Sequence, residues 1–159
     1  MGVISMKILS SIAVIAFLFF CLAPCNRVYA QIKVCIDAQA DDNDVTGENL
    51  IFKIKETIRS SENMQLVSDE SDAQFQIKVL TLDPEKKGGY TIYSLVWTAK
   101  LLNGANAFLN HTIGVCSSDR IDLIAVNLVA KTDKIISDAQ KIIKEKQLKV
   151  FPSYNKKQG

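Results

Sequence analysis

The chain has 159 residues, of which 48% are hydrophobic and 23% are charged, with 19 basic and 17 acidic side chains. This length fits one domain with a single core. The nearly balanced charge argues against a general nucleic-acid-binding protein, which needs a basic face, so we predict no nucleic-acid partner.

Residues 6–30 have the pattern of a secretory leader. Met6-Lys7 supplies a basic start, an apolar run extends from Ile8 to Ala23, and Val28-Tyr29-Ala30 offers small residues where a signal peptidase cleaves. The run is about sixteen residues long, whereas ~20 are needed to span a bilayer. We therefore expect residues 1–30 to be a signal peptide cleaved after Ala30, a periplasmic or secreted location, and a mature domain that does not span the membrane.

A lipoprotein is the alternative for the same segment. Leu22-Ala23-Pro24-Cys25 looks like a lipobox, although proline is a poor residue directly before the acylated cysteine. Met6 could also be the true start, with residues 1–5 as an upstream extension. Because residues 1–30 hold two basic residues and no acidic one, the rest of the chain has 17 charges of each sign and is formally neutral.

Beyond the leader, the hydrophobic pattern predicts one α+β domain over residues 31–151 and a flexible tail over residues 152–159. The predicted elements are a strand at 32–37, a helix at about 46–60, strands at 64–67, 74–82, 90–102 and 108–116, and a helix at about 119–146. Asn103-Gly104 is a hairpin signal. The simplest arrangement is a two-layer sandwich, in which two helices cover one face of a mostly antiparallel sheet of about five strands.

Two cysteines, Cys35 and Cys116, follow the leader, and export favours a disulfide between them. Alternation places Cys35 opposite the apolar side of its strand, and it places Cys116 opposite Ile113 and Val115. If both apolar sides meet the helices and the first and last strands are neighbours, the two sulfurs lie within bonding range. We predict a structural disulfide; the alternatives are two reduced thiols or a bond to another chain.

An acidic loop precedes the first predicted helix. Asp42, Asp44, Thr46 and Gly47 imitate the opening of an EF-hand loop, but the twelfth position, which should be glutamate, is Lys53. Capping of the helix by Thr46 explains the same residues without an ion. We therefore predict no metal site and no cofactor.

His111 is the only histidine, and alternation puts it on the presumed helix-facing side of its strand. A single histidine without a cluster of further ligands fits a core or rim position better than a metal or catalytic site. The sequence also lacks a nucleophile elbow and a glycine-rich loop after the first strand, so we predict no enzymatic activity and assign no catalytic residue.

Thr91, Tyr93 and Trp97 share one face of the longest predicted strand with Leu95 and Ala99. One interpretation is a packed sheet face, since aromatic residues favour strands in general. The other is a binding patch, because two helices cover only one side of a sheet. On the second interpretation we expect Thr91, Tyr93 and Trp97 to contact a protein partner, a second copy of the chain or an envelope polymer.

Leu50–Ser60, followed by Met64-Gln65-Leu66-Val67 and Ser71–Ile77, resembles the N-terminal domains of TolB-type periplasmic proteins. The segment is also similar to periplasmic domains of the curli secretion lipoprotein and of lipoprotein activators of peptidoglycan synthases. Those families have an Ala-Asp-type dipeptide before the next strand, where this chain has Asp72-Ala73. The resemblance implies the fold and a role in envelope protein contacts, and it carries no site residues.

Together these observations predict an exported, non-enzymatic accessory domain of the cell envelope that binds a protein partner. One alternative is a small-ligand or glycan-binding domain that uses the same aromatic strand. The other is a hydrolase built on carboxylates that no motif distinguishes.

Overall fold

The computed structural model describes residues 31–101 and 104–150, with side chains up to residue 143. The strands are β1 (Ile32–Ala40), β2 (Met64–Val67), β3 (Phe75–Leu82), β4 (Tyr90–Lys100) and β5 (Asn106–Ser117), and the helices are α1 (Val45–Arg59) and α2 (Ile121–Val150). This order confirms the predicted α+β fold. The predicted leader, Asn103 of the predicted turn and the predicted tail lie outside the described residues.

The five strands form one mixed sheet in the order β2-β1-β3-β4-β5. β1 is parallel to both β2 and β3, whereas β4 is antiparallel to both β3 and β5. The expectation of a mostly antiparallel sheet is therefore wrong for the β1 side. The parallel pairing follows from α1, because a helix that links two strands as a crossover returns the chain in the same direction.

Both helices pack on one face of the sheet, and the core lies between the two layers. The strands contribute alternate residues to this covered face, as their pleat requires. Its fully buried members include Val34, Ile77, Val79, Leu95 and Trp97 from the strands and Leu50, Ile54, Ile58, Ala125 and Ile136 from the helices. The opposite face of the sheet is here called the open face. The β2–β3 connection, which includes a short 3-10 helix (Glu70–Asp72), covers the end of this face where Cys35 and Gln76 are buried. The rest of the open face, on the β3–β5 side, is covered by none of the described elements.

Candidate functional site

The open face carries a group of exposed apolar side chains at the β3–β5 side of the sheet. Their exposed fractions range from 36% to 68%. The group, here called the apolar patch, consists of Leu80, Leu82, Ile92, Ile113 and Val115. Exposed apolar side chains are ordinary when scattered, so the arrangement of these five decides whether they form a surface.

The strand register brings the five residues of the apolar patch side by side. Leu82 pairs with Ile92, which pairs with Val115, so these three side chains form one row across the sheet. In the next row, Leu80 and Ile113 lie on either side of Ser94. Neighbouring strands are about 4.8 Å apart, so the two rows make one surface in which five apolar side chains surround Ser94.

A row with polar residues at both ends borders the apolar patch. Lys78, Val96 and His111 form this third row, and Lys78 pairs with Asp37 of β1, whose carboxylate lies 3.6 Å from the Lys78 ammonium. An apolar centre with a charged margin is the usual composition of a protein-binding surface. The patch also reaches the edge of the five described strands, because Ile113 and Val115 belong to β5.

The structure places Thr91, Tyr93 and Trp97 on the covered face. All three are buried, and Trp97 keeps only 1% of its surface exposed. The expectation that they form an exposed binding patch is wrong, and the packed-face interpretation is correct. The reason is that alternation joins them to Leu95 and Ala99, and α1 and α2 cover this side of β4.

Trp97 is bound to α2 through its polar edge as well as its ring. Its indole N–H donates to Thr132 Oγ1 at 2.9 Å, and the Thr132 hydroxyl donates to the Leu128 carbonyl at 2.8 Å. The Lys131 ammonium lies 5.2 Å from the centre of the ring, within reach of a cation–π contact. A ring held in this way is not available to stack on a glycan.

The predicted disulfide is also wrong. Cys35 and Cys116 are both free thiols. β3 and β4 separate their strands, and Cys35 lies on the open face whereas Cys116 pairs with Thr91 on the covered face. Burial raises the pKa of both thiols, with a smaller contribution from nearby carboxylates, so both favour the protonated and unreactive form.

His111 lies on the open face and is exposed, so its predicted position on the helix-facing side is wrong. A bulge causes the difference. The β4–β5 register shifts between Trp97 and Thr98, and the extra residue, Leu109, packs against the core. The alternation therefore changes phase at the bulge, and His111 falls on the same side as Phe108, whose ring centre is 6.1 Å from its own.

The acidic loop is a buried helix cap. Asp44, rather than Thr46, is the N-cap of α1, and its Oδ1 accepts the Gly47 N–H at 2.7 Å. Its Oδ2 accepts the Thr91 hydroxyl at 2.6 Å. A side chain on Gly47 would overlap both Asp44 Oδ2 and Thr81 Oγ1, so this position requires glycine. These contacts fix the start of α1 to β3 and β4.

A second buried carboxylate organises the neighbouring β3–β4 loop. Asp83 accepts backbone N–H groups of Gly88 at 2.6 Å, Lys86 at 2.9 Å and Glu85 at 3.0 Å. Together these bonds hold the pKa of Asp83 below its usual value, and the bond from the Gly88 N–H makes the largest contribution. The Thr46 hydroxyl donates to the Gly88 carbonyl at 2.5 Å, which joins this loop to the first turn of α1.

Within the described part of the chain, no three histidine, cysteine, aspartate or glutamate side chains are grouped so that they could hold a metal ion. None of the helices described here is both long enough and apolar enough to cross a bilayer.

Comparison with known proteins supports the fold. No family model matches the sequence, and no curated protein is significantly similar to it. The chain is similar in structure to XCC0632 of Xanthomonas campestris, a protein of the family DUF330, with a TM-score of 0.55 and 5% identity over 74% of this chain and 92% of that one. At this identity the similarity shows a shared fold and nothing more.

Two further solved structures are more distant. A PelC dodecamer from Paraburkholderia phytofirmans has a TM-score of 0.38 and 14% identity over 64% of this chain and 83% of that one. The hypothetical protein CT253 from Chlamydia trachomatis has a TM-score of 0.37 and 9% identity over 55% of this chain and 71% of that one. These two similarities support no argument about this chain.

Sequence reasoning missed the apolar patch because it assigned the open face to the wrong residues of β4 and β5. A signal was present in β3, where Leu80 and Leu82 alternate with the core residues Ile77 and Val79. Two leucines on the side away from the core are unusual for a solvated face, and they mark the exposed surface.

Proposed function

We propose that this chain is an exported, non-enzymatic accessory domain of the cell envelope that binds a protein partner through the apolar patch. The observation that carries the proposal is the grouping of five exposed apolar side chains in two adjacent rows, on the part of the open face that none of the described elements covers. Burial of such a surface by a partner is favourable in proportion to the apolar area removed from water.

The composition of the surface favours a protein partner over a sugar or a small ligand. Glycans are commonly bound by exposed aromatic rings, and the two large rings of β4, Tyr93 and Trp97, are in the core. Phe108 of β5 is exposed on the open face, but it lies beyond the bulge and outside the apolar patch. The apolar patch instead consists of aliphatic side chains beside the Lys78–Asp37 ion pair. We expect the partner to present an apolar centre with polar groups that meet this pair. The leader pattern in residues 6–30 supports a location in the envelope.

Chemical crosslinking in intact cells, followed by mass spectrometry, tests the proposal. The variant Leu80→Lys places a charge inside the apolar patch without touching the core, because this side chain is 55% exposed. We expect the main crosslinked partner to fall by at least ~10-fold in yield, as for a residue at the centre of an interface. Circular dichroism and thermal melting should match the unsubstituted chain.

Phe52→Lys is the matched control, since Phe52 is 57% exposed but lies on α1, on the other side of the molecule. This variant should retain the partner at the level of the unsubstituted chain. Retention of the partner by both Leu80→Lys and Leu82→Lys would show that binding does not use the open face.

A further inference from the structure

β5 forms an edge of the sheet, and none of the described strands pairs with its outer side. It has 12 residues, about twice the length of an average strand. Natural proteins protect such edges from pairing with other chains by placing lysine, other charges or proline on them. β5 has no lysine, arginine, aspartate, glutamate or proline, and its one bulge lies at Leu109, away from the apolar patch.

The hydrogen-bond pattern shows which backbone groups of β5 face outward. In an antiparallel pair, the residues that bond to the neighbouring strand alternate with residues that do not. The Ser118 N–H donates to the Gly89 carbonyl, which continues the ladder beyond the Tyr90–Ser117 pair. The alternation therefore directs the backbone N–H and C=O groups of Thr112, Gly114 and Cys116 towards β4. The N–H and C=O groups of His111, Ile113 and Val115 point away from the sheet.

One of these outward groups already has a partner within the chain. The Asn110 side-chain oxygen accepts the His111 N–H at 2.7 Å. The bond occupies the edge at His111, so the outward-facing segment closest to the apolar patch runs from Ile113 to Val115. The side chains of these two residues are 68% and 60% exposed. Unpaired backbone groups and exposed apolar side chains therefore occur together at one place.

We propose that a second copy of this chain pairs with β5 at this segment, antiparallel and about a two-fold axis at Gly114. Ile113 of each copy then lies opposite Val115 of the other, and the two pairs exchange four backbone hydrogen bonds. The two sheets become one continuous sheet across the axis. The two apolar patches meet on its open face, where Ile113 and Val115 of both copies form the shared contact.

The character of the strand selects a second copy as the occupant. In two-fold pairing each residue of β5 lies opposite another residue of the same strand in the second copy, so a charged edge would bring like charges together unless opposite charges happened to be paired. β5 has no formally charged side chain at neutral pH, and it meets this condition in every register. Gly114 at the axis has no side chain, and Tyr93 packs directly over it within each copy. Gly114 itself therefore adds no side-chain bulk at the axis, and the space over it is filled by Tyr93 of the same copy.

The contact involves only the segment from Ile113 to Val115 of each copy. It is therefore smaller than a standard interface, which buries about 800 Å² on each partner. We therefore expect a reversible dimer with a dissociation constant on the order of micromolar. This inference concerns the edge of the sheet and does not rest on the proposed function, which concerns its open face.

Site-specific crosslinking of the full chain in exporting cells tests the pairing. Ile113→Cys and Val115→Cys variants carrying different tags are expressed together and treated with a short bis-maleimide reagent. We expect a product that contains both tags, at the mass of two chains and above the background of the unsubstituted chain. Leu80→Cys is the matched control, because it lies on the same face but two strands away from the edge, so it should give no such product.

A charge at the edge provides the second test. Ile113→Lys puts two ammonium groups near the axis, and it should reduce the product formed through Val115→Cys by at least ~10-fold. Leu80→Lys should leave that product unchanged even where it abolishes binding of a different protein. The proposal is overturned if the paired cysteines give only background, or if Leu80→Cys crosslinks as well as they do, which would indicate packing of two open faces. Loss of partner binding with the dimer retained, or the reverse, separates this inference from the proposed function.

Discussion

The two faces of β4 differ in burial, although they belong to one strand. Leu95 and Trp97 are buried under the helices, whereas Ile92 lies on the open face between Leu82 and Val115. Apolar residues occur on both faces, although the open face also carries Ser94, Thr98 and Lys100, so an apolar residue taken singly does not show which face is buried. The difference comes from the strands and helices that pack beside them, and it shows that apolar residues in a strand identify a buried surface only after the helices have been placed.

The side on which α1 lies follows from the chirality of the chain. A crossover between parallel strands is right-handed in nearly all proteins, so the β1–α1–β2 connection can cover only one face. The strand register then determines which residues of the other strands lie on the covered face, because residues directly opposite each other share a face. Val34 of β1 pairs with Phe75, and Ile77 pairs with Trp97, so all four residues lie under the helices.

Truncation of Trp97 should have the largest effect on stability. It tests whether the covered face of β4 is the core. Trp97→Ala removes a fully buried ring, and we expect the free energy of unfolding to fall by about 3–5 kcal/mol. Trp97→Phe keeps most of the ring but loses the hydrogen bond to Thr132, and it should cost about 1 kcal/mol. Urea denaturation measures both values. A loss below ~1 kcal/mol for Trp97→Ala would mean that this face is not the main core.

The same substitution on the two faces sharpens the comparison, because Leu95 and Leu80 are both strand leucines that lie on opposite faces and differ strongly in burial. Leu95→Ala removes a side chain with no exposed surface and should cost about 2–5 kcal/mol. Leu80→Ala, on the open face, should change stability by less than ~1 kcal/mol. Thermal melting of the two variants gives the contrast directly. Equal losses would show that the described domain buries its open face as deeply as the covered one.

The elements of this fold could be predicted from the sequence because their signals are local. The alternation of Ile32, Val34 and Ile36 and the helical spacing of Leu50, Ile54 and Ile58 both depend on neighbours within one element. β2 occurs at the predicted residues, and the order of the seven elements is the predicted one.

The candidate site could not be predicted because it depends on relations between elements. The Cys35–Cys116 pairing required β1 and β5 to be neighbours, but strand order is a long-range property that periodicity within a strand does not encode. The bulge at Leu109 changed the phase of β5, which reversed the expected sides of His111, Ile113 and Val115. The N-cap was misplaced by two residues, since both Asp44 and Thr46 are good capping residues and only their tertiary contacts decide between them.

Removal of the Asp83 carboxylate should produce a smaller effect that depends on pH, at the end of the sheet where α1 begins. Backbone N–H groups in the β3–β4 loop lower the pKa of Asp83 in the folded chain, and the Gly88 N–H has the largest effect. A lowered folded pKa means that the carboxylate contributes stability at pH values above its unfolded pKa of about 3.9, and that this contribution is lost as the pH falls through the lower folded value. Asp83→Asn should therefore lower the melting temperature near neutral pH, with the difference shrinking as the pH falls below about 4.

Asp42→Asn is the matched control for net charge, because it removes an exposed carboxylate near the same end of the sheet. Melting temperatures are measured across the acid range. A difference between Asp83→Asn and the unsubstituted chain that did not change with pH would contradict a stabilising role for the Asp83 carboxylate. The result also bears on the two faces: Asp83 holds Gly88, and Thr46 of α1 binds the Gly88 carbonyl. Loss of the Asp83 carboxylate should thus loosen the start of the helix that covers the sheet, while leaving the apolar patch on the other side intact.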